Sequence, residues 1–232
     1  MPKTIFITGA NKGLGFETAR RLTGLGHTVL LGARDVGRGR RAAAELGVRF
    51  VRIDVTDDAS VAAAAADVAA EEGRIDVLVN NAGITGGAVP AEELTGAEAA
   101  LVLDTNVVSV VRVTTAFLPL LRASDAPTVV NVSSGLGSVA LTHDPERVES
   151  KVIAPVYAAS KAAVTMLTTQ YAKALGDVRF NAVDPGYTAT DLNGHSGTQT
   201  VTEGTDAIVT LATEDPGAGT GRFIDRYGTL AW

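Results

Sequence analysis

The pentapeptide YAASK places a phenol, Tyr157, four residues before an ammonium group, Lys161. On a helix these two side chains lie on the same face, one turn apart. A free tyrosine has a pKa of about 10 and is a weak acid at neutral pH. A nearby ammonium group favours the phenolate and lowers that pKa, so the pair predicts a proton donor for general acid catalysis. The alternative is an ordinary pair of side chains on a helix surface.

A proton donor of this kind needs a second group that holds the oxygen atom to be protonated. A hydroxyl at the end of a strand beside the site can hold that oxygen. Two serines, Ser133 and Ser134, close the apolar segment VVNVSS, and both are candidates for this role. We therefore expect Tyr157 to act together with one of these two serines.

Short apolar segments rich in β-branched residues alternate with longer alanine-rich segments along the whole chain. The first kind is typical of buried strands and the second of helices. The predicted strands are 4–10, 27–33, 48–54, 75–81, 127–133, 178–184 and 222–225. The predicted helices are 14–25, 37–46, 57–72, 92–122 (with a break inside as an alternative) and 156–175. This alternation indicates an α/β fold, with a doubly wound sheet of about seven parallel strands and helices on both faces in a three-layer sandwich.

Residues suited to helix ends lie where the predicted helices begin and stop. Thr56 precedes DDASV and is expected to cap the third helix at its N-terminus. Gly47, Gly73 and Gly176 follow three of the predicted helices, as expected for residues that end a helix. The segments 135–155 and 193–200 show no clear periodicity and are expected to be irregular.

A glycine-rich loop joins the first predicted strand to the first predicted helix. Its sequence, TGANKGLG, contains Gly9, Gly13 and Gly15. Glycines at such a junction let the backbone approach a pyrophosphate, and the helix N-terminus supplies N–H donors and a favourable dipole. This position between strand and helix predicts dinucleotide binding, and a tight turn without a ligand is the alternative.

Six segments occur in the order that is found in the short-chain dehydrogenases/reductases. They are TGANKGLG, NNAG (80–83), TNV (105–107), VNVSS (130–134), YAASK and NAVDPG (181–186). The chain resembles this family over nearly its whole length. It resembles the carbonyl-reductase branch in the sequence TGANKGLGFE and in the large number of residues between Ser134 and Tyr157. The resemblance implies one Rossmann-type domain over residues 1–232. It also implies an NAD(P)-dependent oxidoreductase that acts on a carbonyl or secondary alcohol substrate.

The same resemblance assigns four catalytic residues. It selects Ser134 as the serine that holds the substrate oxygen, and Tyr157 as the general acid and base. Lys161 would tune Tyr157 and also hydrogen-bond the nicotinamide ribose. Asn106 would bind a water that connects Lys161 to solvent, whereas a buried asparagine satisfied by local backbone is the alternative.

Cofactor contacts are also implied by the resemblance. They fall on the glycine loop and after the carboxyl ends of the predicted strands, where α/β folds bind ligands. The residues are Gly9, Asn11, Lys12, Gly13, Leu14, Gly15, Arg34, Asp54, Val55, Asn81, Ala82, Gly83, Tyr157, Lys161, Pro185, Gly186, Thr188 and Thr190. Each has ordinary turn chemistry as its alternative.

The end of the second predicted strand, LLGARD, decides the form of the cofactor. An acid there binds the 2′-hydroxyl of NAD, whereas an arginine accommodates the 2′-phosphate of NADP. By analogy with the family, the position of the acid falls on Ala33, followed by Arg34, and Lys12 and Arg38 add further positive charge. Asp35 is interpreted as a helix N-cap. NADP(H) is therefore favoured as the cofactor, and NAD(H) is the alternative. If the arginines are solvated surface residues, they make no contact with a phosphate.

The bulk composition excludes several classes of function. The chain has 232 residues, a formal net charge of −6 and no cysteine. A mildly acidic chain is not suited to nucleic acid or anionic membranes, and without cysteine there are no disulfides, thiolate metal sites or cysteine nucleophiles. We expect a cytoplasmic protein with a small-molecule substrate, no metal, no membrane span and no nucleic-acid partner.

Two segments are expected to form the substrate lobe, namely 135–155 and 187–200. The first is longer than in compact members of the family, and by resemblance such an insertion can obstruct an oligomer interface, which leaves the oligomeric state open. Two other functions are weighed against the reductase. One is a non-catalytic nucleotide-sensing protein, and the other is a sugar-nucleotide epimerase or dehydratase, which would need a larger substrate domain.

Overall fold

A computed structural model describes residues 1–87 and 89–232. Seven parallel strands form the sheet, and a two-residue eighth strand is antiparallel to the seventh. The strands are β1 (Thr4–Ile7), β2 (Thr28–Ala33), β3 (Arg49–Arg52), β4 (Val77–Asn80), β5 (Thr128–Val132), β6 (Arg179–Val183), β7 (Phe223–Asp225) and β8 (Gly228–Thr229). Their order is β3-β2-β1-β4-β5-β6-β7-β8, so the direction of winding reverses between β1 and β4. This confirms the predicted doubly wound sheet and adds β8 to it.

Helices cover both faces of this sheet. The α-helices are α1 (Gly13–Gly24), α2 (Val36–Leu46), α3 (Asp58–Glu71), α4 (Gly96–Leu103), α5 (Ser109–Arg122), α6 (Val139–His143), α7 (Pro155–Ala174), α8 (Val201–Gly204) and α9 (Asp206–Thr213). One apolar cluster joins the sheet to α1, α2 and α9, and the other joins it to α3, α5 and α7. Because successive side chains of a strand point to opposite faces, Ile5 and Ile7 enter the first cluster and Phe6 the second.

The long predicted helix 92–122 is interrupted, as its alternative allowed. A π-helical turn, Asp104–Val108, separates α4 from α5. The combined run Gly96–Arg122 contains an 18-residue window with a mean hydropathy of 1.5, and it is long and apolar enough to cross a membrane by length and composition alone. In this structure it packs against α3 and against strands β4 and β5, and core helices of sheet proteins pass the same test.

Two local predictions are wrong. Asp57, not Thr56, caps α3, because its carboxylate accepts a hydrogen bond from Ala59 N at 2.9 Å, while the Thr56 hydroxyl donates to Asp54. The segment 135–155 is not irregular throughout, since it contains α6 and two 3₁₀ turns, Gly135–Gly137 and Val148–Lys151. The side chain of Asp35 does cap α2, as predicted, by accepting from Arg38 N at 2.7 Å.

Candidate active site

A cleft of about 670 Å³ opens at the carboxyl ends of the strands, where the strand order reverses. This is the place at which doubly wound folds bind their ligands. Most of the residues that the sequence indicates line this cleft. They are Gly9, Asn11, Lys12, Gly13, Leu14, Gly15, Arg34, Asp54, Val55, Asn81, Ala82, Gly83, Tyr157, Lys161, Pro185 and Thr190.

The glycine loop is shaped for close approach of a ligand to the backbone. Gly9 and Gly13 have φ values of 63° and 56°, in the left-handed region that favours glycine. A side chain at Gly15 would begin 2.5 Å from Asn81 Nδ2 and 2.7 Å from Gly9 O, so only glycine fits there. The residue before α1, Lys12, makes no side-chain cap to that helix, and the first N–H groups of α1 remain available to an anion. These features fit the pyrophosphate of a dinucleotide.

Positive side chains line the end of the cleft at β2. Ala33 is buried at the strand end, and the exposed Arg34 follows it into the cleft lining together with Arg38. The carboxylate of Asp35 is held at the start of α2, where the hydrogen bond from Arg38 N lowers its pKa. The arrangement therefore presents an arginine rather than a free acid in the cleft after the end of β2.

Lys12 is not free at the mouth of the cleft. Its Nζ lies 2.8 Å from Asp191 Oδ2, and both side chains are more than half exposed. Asp191 also contacts His195 Nε2 at 2.9 Å. This ion pair connects the glycine loop to the segment 187–200. A phosphate at Lys12 would compete with Asp191 for the same ammonium group.

Helix α7 brings Tyr157 and Lys161 together. Lys161 Nζ lies 5.6 Å from the centroid of the Tyr157 ring and donates a hydrogen bond to Val132 O at 2.8 Å. The lysine is only 5% exposed. Burial lowers its pKa to about 8, while the negative charge of Asp184 acts in the opposite direction.

The predicted lowering of the Tyr157 pKa is wrong for this arrangement. Burial raises the pKa of the phenol to about 12, the neighbouring Ser134 hydroxyl acts to lower it, and the charge of Asp184 raises it further. The sequence indicated the partners of the phenol but not its burial, which outweighs them here. At neutral pH the phenol is therefore protonated, which is the state that a proton donor needs.

The two candidate serines have different surroundings. The Ser133 hydroxyl is buried and donates to Lys161 O at 3.0 Å, so it fastens β5 to α7. The Ser134 hydroxyl accepts a hydrogen bond from Leu136 N at 3.2 Å and lies beside the phenol of Tyr157. Ser134 does not border the main cleft, but its hydroxyl is the one placed to meet a substrate oxygen together with Tyr157.

Asn106 lies in the π-helical turn and is buried behind the cleft. Its Oδ1 accepts from Ile84 N at 2.8 Å, and its Nδ2 donates to Ile84 O at 2.8 Å and to Ser160 Oγ at 2.9 Å. These contacts match the alternative of an asparagine satisfied by local groups. They also fasten the backbone after β4 to α7, and the water-binding role of Asn106 stays a prediction.

Two predicted cofactor contacts lie away from the cleft lining. Gly186 borders a second cavity and donates its N–H to Asp184 Oδ1 at 2.9 Å. Thr188 is buried, and its hydroxyl donates to Pro185 O at 2.9 Å. Both shape the turn after β6, whereas Pro185 and Thr190 reach the cleft. Cofactor contacts from Gly186 and Thr188 stay predictions.

One residue of the site was not singled out from the sequence. Asp184 is 5% exposed, and its charge acts on both Tyr157 and Lys161. Burial raises its own pKa. The available signal was an acid directly after an apolar strand, at the carboxyl edge of the sheet. The segment NAVDPG contains it, but the resemblance drew attention to the proline and glycine instead.

Comparisons with known proteins agree with this geometry. The sequence profile described as short chain dehydrogenase matches residues 3–200. The short-chain dehydrogenase anuI of Penicillium roqueforti is 36% identical over 97% of this chain and 95% of its own length, and the (+)-neomenthol dehydrogenase of Arabidopsis thaliana is 32% identical over 91% of each. The NADPH-bound carbonyl reductase from chicken fatty liver superposes with a TM-score of 0.88 at 27% identity, covering 100% of this chain and 99% of that one.

Three findings lead to one conclusion. The family profile covers most of the sequence, relatives match along nearly their full length, and the glycine loop lines the same cleft as Tyr157 and Lys161. The chain belongs to the short-chain dehydrogenase/reductase family of NAD(P)-dependent oxidoreductases.

Proposed function

We propose that this protein is an NADP(H)-dependent reductase of carbonyl groups, or dehydrogenase of the corresponding secondary alcohols. The observation that carries the proposal is that Ser134 and Lys161 both lie next to Tyr157, and that Tyr157 and Lys161 line the same cleft as the glycine loop. A protein that only sensed nucleotides would need no such proton-delivering group.

The nicotinamide of a bound dinucleotide supplies the hydride. The Ser134 hydroxyl holds the carbonyl oxygen of the substrate by a hydrogen bond. As hydride reaches the carbonyl carbon, the Tyr157 Oη–H bond breaks and the proton passes to the oxygen, which becomes the hydroxyl of the product. The positive charge of Lys161 stabilises the phenolate that is left, and the same ammonium group would hold the ribose of a bound dinucleotide.

NADP(H) is favoured because Arg34 borders the cleft where an NAD-binding protein would present a free acid. Lys12 adds a second cation when its ion pair with Asp191 breaks. The NADPH carried by the chicken carbonyl reductase structure supports the same choice. We expect a KM for NADPH at least tenfold below that for NADH, since a phosphate–guanidinium contact is worth about 1–3 kcal/mol. Arg34→Ala should bring the two KM values closer together because it removes that contact. A preference for NADH would contradict the proposal.

Replacement of Tyr157 by Phe tests the chemical step. Loss of a positioned general acid lowers rates by about 10²–10⁴-fold, so Tyr157→Phe should nearly abolish turnover of ketones, aldehydes or quinones followed by NADPH absorbance. NADPH binding, measured by fluorescence titration, should stay within about threefold because the Lys161 side chain is kept.

A matched control lies on the same helix. Tyr171 also loses only a hydroxyl on change to Phe, and its ring stacks on Phe180 at 5.1 Å, remote from the cleft lining. Tyr171→Phe should therefore retain turnover. Substantial reduction by Tyr157→Phe, or an equal loss in both variants, would overturn the role of Tyr157.

A further inference from the structure

The two segments predicted to form the substrate lobe meet at a second cavity of about 280 Å³. Residues 146–149 of the first segment and Tyr187, Thr198 and Gln199 of the second line it. Pro185 borders both this cavity and the dinucleotide cleft, so the two spaces adjoin at the turn that follows β6. A substrate whose carbonyl lies at Tyr157 can extend its remote end towards this cavity.

The lining of the second cavity is strongly acidic. It contains five carboxylates and two guanidinium groups. Both guanidinium groups are already paired, Arg147 with Glu149 at 2.9 Å and Arg226 with Glu203 at 2.8 Å. The carboxylates in excess include Asp184, which follows β6, and Asp225, the last residue of the neighbouring strand β7.

Asp184 is a buried acid without a positive partner in the part of the chain that the structure describes. It is 5% exposed, and no Lys, Arg or His nitrogen of the described residues lies within 4.0 Å of its carboxylate. Its Oδ1 accepts from Gly186 N at 2.9 Å, and the carboxylate also accepts from Gly135 N, so its donors are neutral backbone groups. Its Oδ2 and Glu149 Oε1 approach the same point, since a side chain at Gly135 would begin 2.9 Å from the first and 2.6 Å from the second. Arg147 already neutralises Glu149, so Asp184 is the carboxylate of this pair that lacks a cation within 4.0 Å among the described residues.

A second group of the cavity also has no partner. Gln199 Oε1 is buried and accepts no hydrogen bond from any residue within 1–87 or 89–232. The Gln199 side chain lies against Gly186, next to Asp184. An unsatisfied amide oxygen costs free energy unless an N–H or O–H donor reaches it. A protonated amine supplies both a positive charge for Asp184 and an N–H for Gln199.

We propose that this acidic cavity binds a protonated amino group of the substrate, so that the preferred carbonyl or alcohol substrate is a basic amine. The inference rests on the proposed reductase function and adds the chemical class of the substrate. Tyr187 at the rim offers an aromatic face to the alkyl groups of such a cation, whereas the guanidinium group of Arg226 already lies over the Tyr227 ring, 5.5 Å from its centroid.

A matched series of ketones tests the inference at pH 7. The probes are acetophenones with a meta dimethylaminomethyl group, a meta isobutyl group of the same shape, or a meta carboxymethyl group. The wild-type kcat/KM with NADPH should be about tenfold higher for the protonated amine than for the isobutyl ketone, and lowest for the carboxylate. Equal values for amine and isobutyl ketone, or a preference for the carboxylate, would overturn the inference.

Substitutions in the cavity test which residues cause the preference for the amine ketone. Asp184→Asn keeps an acceptor for Gly186 N and removes the charge, so the ratio of amine to isobutyl kcat/KM should fall to near one. Asp225→Asn should lower the same ratio. This second variant provides the test if Asp184→Asn does not fold. The exposed Asp125 lies outside both cavities, and Asp125→Asn should keep the wild-type ratio. An unchanged ratio in both cavity variants would contradict the assignment.

A binding measurement separates this inference from the reductase function. N,N-dimethylbenzylamine should raise the Tm of the wild-type protein and should not raise that of Asp184→Asn or Asp225→Asn, whichever folds, because only the native cavity binds it. If neither ketone is reduced but this shift is seen, the proposed function falls and the amine site stands. If both ketones are reduced equally and no shift is seen, the amine site falls and the reductase stands.

Discussion

At the scale of single residues, the ammonium group of Lys161 is unusual in its burial. Its described hydrogen-bond partner is one carbonyl oxygen, Val132 O, and the nearest helpful charge is that of Asp184. Burial disfavours the charged form and lowers the pKa to about 8. The residue that the mechanism needs as a cation is thus poised to lose its proton just above neutral pH.

This burial predicts how stability depends on pH in the absence of added dinucleotide. Between pH 8 and 10 the unfolded chain keeps a proton on Lys161, whose ordinary pKa is 10.5, while the folded protein releases it. Since stability rises with pH wherever the unfolded state binds more protons, Lys161 should add about 2 kcal/mol to the unfolding free energy over that interval. The contribution of Tyr157 has the opposite sign: it sets in near pH 10, the ordinary pKa of the phenol in the unfolded chain, and grows up to the folded pKa of about 12.

Urea unfolding of wild-type and Lys161→Met protein at pH 8 and pH 10 measures this effect. The difference in unfolding free energy between the two proteins should shift by about 2 kcal/mol in favour of the wild type as the pH rises. A difference that stays constant would show that Lys161 titrates normally in the folded protein.

At the scale of elements, α7 has to lie very close to the turn that follows β5. A side chain at Gly137 would begin 2.5 Å from Lys161 C and 2.8 Å from Ala162 N, both backbone atoms of α7. The Ser133 hydroxyl bonds to the same stretch of the helix. Backbone contact at a glycine therefore sets the distance from Ser134, after β5, to Tyr157 and Lys161 of α7, the residues proposed to be catalytic.

Replacement of Gly137 by Ala should disturb this contact. The added methyl group meets backbone that cannot rotate away, so we expect a loss of about 1–3 kcal/mol in unfolding free energy and a lower kcat as Lys161 moves. Gly176, after the C-terminus of α7, has nothing within 4 Å of an added methyl group, and Gly176→Ala should change stability by less than about 0.5 kcal/mol. Equal effects of the two changes in urea unfolding would show that the close approach is not limiting.

At the scale of the whole molecule, the arrangement of strands and the place of the cleft could be predicted from the sequence, because both follow from local patterns. Alternating apolar strands and helices predict a parallel sheet, and the glycine loop after β1 locates the ligand end. What could not be predicted depends on which groups lie together in space. The pKa of Tyr157 is decided by burial among distant segments, and the acidic cavity is formed where residues 146–149 meet Gln199 and Asp225.

The same limit holds for the choice between neighbouring residues. Thr56 and Asp57 both suit a helix N-cap by type, and Ser133 and Ser134 both end the same strand. In the first case the backbone turn selects Asp57, and in the second the alternation of side chains along β5 points Ser133 at α7. In each pair, a shift of one residue decides which side chain takes the role. Sequence patterns cannot make this choice, because they locate elements only to within a few residues.

The strands of the described residues form one continuous sheet, and we therefore expect one cooperative unfolding transition. The only tryptophan, Trp232, stacks on Phe223 of β7 with ring centroids 5.5 Å apart, and its carbonyl accepts a hydrogen bond from Ala140 N in α6. Its fluorescence therefore reports on the end of the sheet and on the substrate lobe, whereas far-UV circular dichroism reports on all the helices. Because both apolar clusters share the same strands, neither face can lose its packing alone, and the two signals should follow the same urea midpoint. A tryptophan transition at clearly lower urea would show that the lobe and the last strands unfold as a separate unit.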